Sequence, residues 1–199
     1  ELPSREENEV RYLSVKYSMP EYLVEKWKAA YGVKTTEKIL EDFLTERPIT
    51  VRCRTHKASL REIVTSLKSQ GVTVEQAPYL PYALKISDYN HILTLETFLQ
   101  GKILVQDVSS MLVAEAASPK KGDHIIDMCA APGGKSIHAA DKMGDYGNVD
   151  ARDVSQYKAD LIKENIHRTG VINVEARVQD ATVYDPDSEQ AADIVIADV

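Results

Sequence analysis

The sequence lacks long apolar runs and has few cysteines. No run approaches the roughly 20 apolar residues needed to cross a bilayer, and the first residues are acidic, whereas a secretory signal begins with basic ones. The two cysteines, Cys53 and Cys129, have no metal-like spacing. We therefore expect a cytoplasmic protein with reduced thiols and no membrane or metal partner. Because the sequence starts at Glu1 rather than Met, we interpret it as an excised segment.

An excess of positive charge is also missing. The formal net charge is -7, which argues against indiscriminate nucleic-acid binding, because affinity for phosphates depends on Lys and Arg. The acidic excess lies in residues 102–199, since residues 1–101 hold equal numbers of acidic and basic residues. This electrostatic difference favours two separate modules, and the ordinary share of hydrophobic residues, 43%, predicts that they are folded.

The first half is predicted to contain helices and a small α+β domain. Residues 1–19 are polar at their start and predict a linker. Apolar side chains then recur at helical steps before Gly32 and again over Thr36–Leu44, which predicts a helical hairpin. A strand, a helix and two strands follow in the segments ITVRC, Ser59–Ser69, VTVEQ and YALKIS. This order resembles an RNA-recognition fold, so we assign residues 20–101 to the hairpin and a small RNA-binding domain.

The most basic stretch of this domain runs from Arg47 to Arg61. It contains no acidic residue, and its basic residues are Arg47, Arg52, Arg54, Lys57 and Arg61. These side chains could contact RNA phosphates, or they could be the solvated charges that protect the edge of a sheet. The sequence favours neither interpretation over the other.

Residues 102–199 alternate between strands and helices. An apolar helix in the segment Gly101–Ser118 ends at Pro119, and the strands HIIDM, NVDARD, VEARV and DIVIADV follow. The first three strands are separated by the predicted helices KSIHAADKM and SQYKADLIKENIHRTG. This alternation predicts a parallel α/β sheet with crossovers on both faces.

Ligands of such sheets bind at the carboxyl ends of the strands. Small residues between Asp127 and Ser136 would let the backbone approach a ligand, and the next helix would offer free N–H groups to a carboxylate or phosphate. Asp153 follows the second strand, roughly 20 residues after Gly133, which is the spacing of an acid that binds ribose hydroxyls. Asp180 and Asp198 follow the next two strands. Together these residues predict a nucleoside site.

Each of these residues also has a plainer interpretation. Asp153 and Asp180 could cap helices or stabilise turns, and Cys129 alone would be a small buried residue, so we give it no nucleophilic role. A P-loop nucleotide hydrolase is the main rival, since Gly-Lys-Ser ends its motif. It fails because Cys129 stands where that motif needs glycine, and because Pro132 removes a backbone donor.

The loop DMCAAPGGKS resembles the S-adenosylmethionine motif of the RNA cytosine-carbon-5 methyltransferases. The segments VQDVSSMLVAEAASPKKGD and RYLSVKYSMPEYLVEKWKAAYG are similar to regions of the bacterial ribosomal RNA enzymes of the RsmB/Sun/Fmu group. The resemblance implies a Rossmann-like S-adenosylmethionine-dependent methyltransferase domain, present as a partial sheet in residues 102–199 and preceded by the α+β domain. It also implies 16S ribosomal RNA as the substrate and S-adenosyl-L-methionine as the cofactor. It predicts no oligomeric state.

The resemblance also implies roles for single residues. Asp153 would be the ribose acid, Asp180 the adenine-side acid, and Asp198 a catalytic-site acid beside the methyl group and the target base. The cofactor loop would comprise Cys129, Ala130, Ala131, Pro132, Gly133, Gly134 and Lys135. In the family Pro-Cys follows the last acid, and a cysteine thiolate attacks carbon 6 of cytosine. Since the sequence stops at Val199, we expect both catalytic cysteines to be missing and the segment alone to be inactive.

Two departures from the family pattern affect these expectations. Asp150 and Arg152 lie in a strand that is mostly apolar in the family, and VRCR stands where relatives often have an asparagine. Altered cofactor geometry is therefore expected. The alternative function is a catalytically inactive RNA-binding or interaction module.

Overall fold

The computed structural model describes residues 2–144 and 146–199. Its α-helices are α1 (Glu9–Tyr17), α2 (Glu21–Phe43), α3 (Leu60–Ser69), α4 (Glu96–Leu99), α5 (Val108–Ala117), α6 (Gly134–Met143) and α7 (Gln156–Thr169). Its strands are β1 (Ile49–Cys53), β2 (Thr73–Gln76), β3 (Ala83–Ser87), β4 (Ile103–Val105), β5 (His124–Asp127), β6 (Asn148–Asp153), β7 (Val174–Val178) and β8 (Ile194–Ile196). Among the described residues, no helix combines the length and apolar character that crossing a membrane requires. Contacts divide the chain after Arg47 into two units, each described by itself.

The first unit is helical from Glu9 onward. Helix α1 begins after Asn8, whose side chain accepts a hydrogen bond from the backbone N–H of Arg11, and it buries Leu13 and Tyr17. The linker predicted for residues 1–19 is therefore wrong over this stretch. The apolar spacing of α1 is short and begins inside a polar segment, so the sequence pattern alone does not indicate a helix there. Glu1 lies outside the described residues.

Helix α2 is interrupted at Gly32, whose backbone is not helical (φ 76°, ψ 162°). The rings of Trp27 and Phe43 stack with their centroids 5.8 Å apart. On one straight helix the Cα atoms of these residues would be about 24 Å apart. The chain therefore folds back on itself at Gly32.

The second unit begins with an antiparallel sheet in the order β2-β3-β1-β4. Helix α3 starts with a capping box between Ser59 and Glu62, and it packs Ile63 and Leu67 on the sheet. Strand β4 was not predicted, since its three residues are too few to show alternation. It pairs with β1 yet lies beyond the boundary that we predicted after residue 101, so we propose a boundary after Val105 instead.

The remaining strands form a parallel sheet in the order β7-β6-β5-β8. This confirms the predicted parallel α/β fold. Helices α6 and α7 connect β5 to β6 and β6 to β7, whereas the connection to β8 contains the 3-10 helix Pro186–Ser188 in place of an α-helix. The sequence likewise predicted no helix between VEARV and DIVIADV. The order reverses direction at β5, and ligands of such sheets bind beside that strand.

The two sheets of the second unit are joined through the helices that pack on the parallel sheet. Leu104 of β4 belongs to the hydrophobic core of the parallel sheet. The guanidinium of Arg168, on α7, lies 3.9 Å from the ring centroid of Phe98 and donates a hydrogen bond to the Phe98 carbonyl. The face of the antiparallel sheet that carries Leu104 is therefore covered.

Candidate cofactor site

The loop between β5 and α6 crosses the carboxyl ends of three strands. The backbone N–H of Met128 donates to the carbonyl of Ile196 (2.9 Å), and that of Ala130 donates to the carbonyl of Arg152 (2.8 Å). The side chain of Asn165 donates to the carbonyl of Pro132 at 3.0 Å. The loop is thus bound to β8, β6 and α7, and its position is set by the sheet.

Helix α6 begins without a side-chain cap. Gly133 occupies the cap position with φ 101°, and a Cβ atom there would lie 3.3 Å from Cγ2 of Ile162, so this position favours glycine. The first hydrogen bond of the helix joins the N–H of Ile137 to the carbonyl of Gly133. The N–H groups of the preceding turn are orphan donors of the kind that bind anions at helix starts.

A cation and an anion meet beside this helix start. Lys135 Nζ lies 2.5 Å from Asp198 Oδ2, which joins α6 to the segment after β8. The side chain of Asp198 is 60% exposed, so it can meet a ligand from solvent. The structure therefore brings together two residues that the sequence predicted for one site.

Asp127 is a site residue to which the sequence analysis gave no role. It is fully buried, and its Oδ2 accepts a hydrogen bond from the Ser136 hydroxyl at 2.6 Å. Its Oδ1 has no hydrogen-bond partner among the described residues. Burial raises the pKa of Asp127, although the Ser136 hydroxyl and the charge of Lys135 oppose that rise. The available signal was an acid at the end of an otherwise apolar strand.

Asp153 is directed at the loop. Its Oδ2 accepts a hydrogen bond from the N–H of Ala131 (3.0 Å), and its Oδ1 accepts one from Val154 (2.8 Å) and lies 3.1 Å from Lys158 Nζ. Burial raises its pKa, but these backbone donors and Lys158 lower it more, so the pKa lies below its usual value. Asp153 therefore carries a charge that fixes the loop, and it is only 3% exposed.

Asp180 borders a cavity of about 270 Å³, close to the lower end of the roughly 300–1,000 Å³ range of small-molecule sites. Met128, Val183 and Tyr184 supply apolar walls, and Arg152 supplies a cation. Oδ1 of Asp180 accepts hydrogen bonds from the backbone N–H and the hydroxyl of the nearby Thr182, so the residue also stabilises a turn, as the plainer interpretation predicts.

The polar residues of β6 form a network beside this cavity. Arg152 donates to Asp150 at 2.6 Å and to the Ser188 hydroxyl at 2.8 Å, and its Nη1 lies 3.3 Å from Asp185. Arg177 of β7 also pairs with Asp150. The charges of Asp150 and Arg152 are therefore paired, and these pairs hold the wall of the cavity. The pairing explains how β6 can be buried although it contains charged residues.

The basic stretch around β1 does not have either of its predicted roles at Arg52 and Arg54. These side chains are 2% and 1% exposed, and both pair with Asp141 of α6 at 2.6 Å. They cannot be solvated edge charges, because β1 lies between β3 and β4, and they are not accessible to RNA phosphates. Their partner, Asp141, lies on helix α6 far along the chain, so the residues next to Arg52 and Arg54 in the sequence give no indication of it.

Comparison with known proteins identifies the two halves separately. The model of the RsmF/B-like ferredoxin-like domain matches residues 19–92, and the model of the 16S rRNA methyltransferase RsmB/F matches residues 114–199. The probable ribosomal RNA small subunit methyltransferase B of Bacillus subtilis is 38% identical over 88% of this chain and 39% of that protein. The 28S rRNA (cytosine(4447)-C(5))-methyltransferase of Homo sapiens is 30% identical over 81% of this chain and 20% of that protein.

Solved structures agree with this identification. The crystal structure of PH0851 is 32% identical, has a TM-score of 0.75, and is matched over 94% of this chain and 43% of that chain. A methyltransferase homologue from Pyrococcus horikoshii is 26% identical with a TM-score of 0.61, over 86% of this chain and 56% of that chain. The present chain spans less than half the length of the curated relatives above. With a ferredoxin-like and a Rossmann-like domain in the same order as the two matching models, it belongs to the RsmB/F methyltransferase family.

Proposed function

We propose that the protein containing these residues transfers a methyl group from S-adenosylmethionine to carbon 5 of a cytosine in ribosomal RNA. Small-subunit 16S RNA is the proposed substrate, since the Bacillus subtilis relative is named as a small subunit methyltransferase. The bacterial relatives also support a cytoplasmic location. The observation that carries the proposal is the uncapped start of α6 beside three acids of neighbouring strand ends, Asp127, Asp153 and Asp198.

The start of α6 and the carboxyl ends of β5, β6 and β8 together form the rim of the site, and this rim fits the polar groups of the cofactor. The free N–H groups at the start of α6 would hold its carboxylate, as helix starts hold anions. The unpartnered Oδ1 of Asp127 and the exposed carboxylate of Asp198 are acceptors that suit its ammonium group. Asp153 would accept the ribose hydroxyls, because each carboxylate oxygen can accept more than one hydrogen bond. The cavity beside Asp180 would hold the adenine.

The cofactor supplies a methyl group on a sulfonium, and the protein's task is to place that group against the base. Asp198 is the proposed acid beside the methyl group and the cytosine. Neither cysteine of this chain suits the attack on carbon 6, since a thiolate is needed. Burial raises the pKa of Cys53 to about 12, and Cys129 lies in the cofactor loop. We therefore propose that the attacking cysteine lies outside these residues.

The proposal is tested by methyl transfer with the full-length protein. Radiolabelled S-adenosylmethionine and unmodified 16S RNA should give labelled 5-methylcytosine in the RNA. Asp153→Ala should lower kcat/KM about tenfold to a hundredfold, since a hydrogen bond to a charged group contributes about 1.5–3 kcal/mol. Asp160→Ala removes an exposed acid of α7 and should leave the rate unchanged.

Two results would overturn this assignment. Label in another base or at another ring position would exclude cytosine carbon 5 as the acceptor. Absence of label together with retained RNA binding would favour the inactive module over the enzyme.

A further inference from the structure

A series of hydrogen-bonded polar side chains runs from the ferredoxin-like sheet to helix α6 and contacts this helix near both of its ends. It starts at Arg52 of β1, which is 2% exposed. The Nε of Arg52 donates to Gln106 Oε1 at 2.8 Å, and its Nη1 donates to Asp141 Oδ2 at 2.6 Å. Asp141 lies in the last turns of α6. One buried guanidinium therefore bridges that helix and Gln106.

Gln106 is the last side chain of this series, and it packs against Gly134, the first residue of α6. Three of its side-chain atoms lie 3.6–3.8 Å from the position that a Cβ atom on Gly134 would occupy. Its backbone N–H donates to the carbonyl of Thr50 at 3.1 Å, and its Nε2 donates to the Ser110 hydroxyl at 3.3 Å. Gln106 is thus fixed by β1 and α5 at the point where it packs against the cofactor loop.

From this arrangement we propose that Arg52 and Gln106 are positioning residues that set the start of α6 for the cofactor. The inference rests on the proposed function, since it deepens the role of the same site. A guanidinium holds two acceptors in a fixed planar geometry, and a buried charge cannot leave its partners without a large penalty. A displacement of about 1 Å at a binding site is enough to change function strongly. Among the contacts that join the ferredoxin-like domain to α6, the one through Arg52 and Gln106 therefore reaches the start of the cofactor loop's helix.

Arg54 provides a matched control within the same cluster. It is as deeply buried as Arg52 and pairs with the same carboxylate, that of Asp141. Its remaining hydrogen bonds go to the carbonyls of Gly101 (3.1 Å) and Thr169 (2.6 Å), and not to Gln106. A change at Arg54 therefore disturbs the junction of the two sheets but leaves the contact between Gln106 and Gly134 in place.

The experiment compares Gln106→Leu, Arg52→Lys and Arg54→Lys in the full-length protein. Urea unfolding measures stability, and calorimetry measures the Kd for S-adenosylmethionine. All three variants should lose stability, because each leaves buried polar groups short of partners. Gln106→Leu and Arg52→Lys should raise the Kd about tenfold, because a displaced start of α6 weakens about one hydrogen bond to the charged cofactor carboxylate, whereas Arg54→Lys should raise it less than twofold. Equal changes in Kd across the three variants, or an unchanged Kd in Gln106→Leu, would overturn the inference.

Hydrogen exchange of the unliganded protein separates this inference from the proposed function. Peptides covering residues 130–138 should exchange faster in Gln106→Leu and remain unchanged in Arg54→Lys. If the unmodified protein binds no S-adenosylmethionine, the proposed function fails, and this exchange pattern still decides whether Gln106 positions the loop. Unchanged exchange in Gln106→Leu would show that it does not.

Discussion

Asp141 is the residue on which the junction of the two sheets depends. Its side chain is 6% exposed and accepts hydrogen bonds from both Arg52 and Arg54. Two guanidinium groups therefore share one carboxylate in a buried site. Removing the negative charge would leave both cations buried without a counterion, which is far more costly than losing a surface pair.

Asp141→Asn should destabilise the protein by about 3–5 kcal/mol at pH 7, the range measured when one partner of a buried ion pair is removed. Urea unfolding measures this change. Asp160→Asn is the control, because its side chain is 53% exposed, and it should change stability by less than about 0.5 kcal/mol. A similar small change for Asp141→Asn would contradict the structure of the cluster.

The same variant should alter the pH dependence of stability. Burial raises the pKa of Asp141, but Arg54 and Arg52 lower it more, so its folded pKa lies below the ordinary value of 3.8. A lowered folded pKa gives stability that is present above the unfolded pKa and is lost as the pH falls through the folded one. The stability difference between the unmodified protein and Asp141→Asn should therefore shrink as the pH falls below about pH 4. A difference that grows as the pH falls from about 4 to about 2 would contradict this.

At single residues, the sequence indicates which side chains lie together only where the backbone pattern determines their place. Lys135 and Asp198 meet because the carboxyl ends of parallel strands share one edge. The burial of Arg52 and Arg54 depends on an acid on α6, more than 80 residues away in the chain. A local window cannot contain that partner, so the sequence left two surface roles open and both were wrong.

At the scale of elements, the loop after α4 and the end of α7 approach each other closely. Gly101 has φ 64°, and a Cβ atom built there would lie 2.5 Å from the carbonyl oxygen of Arg168 and 2.6 Å from Cα of Thr169. Both contacts are with backbone, which cannot move aside as a flexible side chain can. The contact between these two elements therefore requires glycine.

Gly101→Ala should destabilise the protein by more than about 2 kcal/mol, because it combines the strain of a positive φ with a clash between backbones. Gly71→Ala is the matched control, since Gly71 has φ 81° and no atom within 4 Å of the added Cβ. That control should cost only the strain of the positive φ, about 1–2 kcal/mol. Thermal or urea unfolding of both variants gives the comparison, and equal losses would show that the close approach is absent.

Elements were predictable in proportion to their length and pattern. The bounds of β6 and β7 follow from the runs NVDARD and VEARV, which are flanked by turns. Strand β4 has three residues, and helix α1 begins inside a charged segment, so neither has enough periodic signal. Pairing with β1 and packing within the first unit determine these two elements, and such contacts are set by tertiary structure.

At the scale of the whole second unit, the two sheets are joined through the helix that starts the cofactor site. Helix α6 presents free N–H groups to the rim and receives Arg52 and Arg54 near its other end. The covered face of the antiparallel sheet is not available to RNA. The RNA contacts that the proposed function requires must therefore lie on other surfaces.

We propose that the loop and the strand-end acids form one site for S-adenosylmethionine. A crystal structure of the full-length protein with S-adenosylmethionine tests it most directly. We expect the carboxylate within about 3 Å of the N–H groups at the start of α6, the ribose hydroxyls on Asp153, and the adenine beside Asp180. Cofactor bound elsewhere, with Asp153 and the start of α6 making no contact to it, would exclude this site.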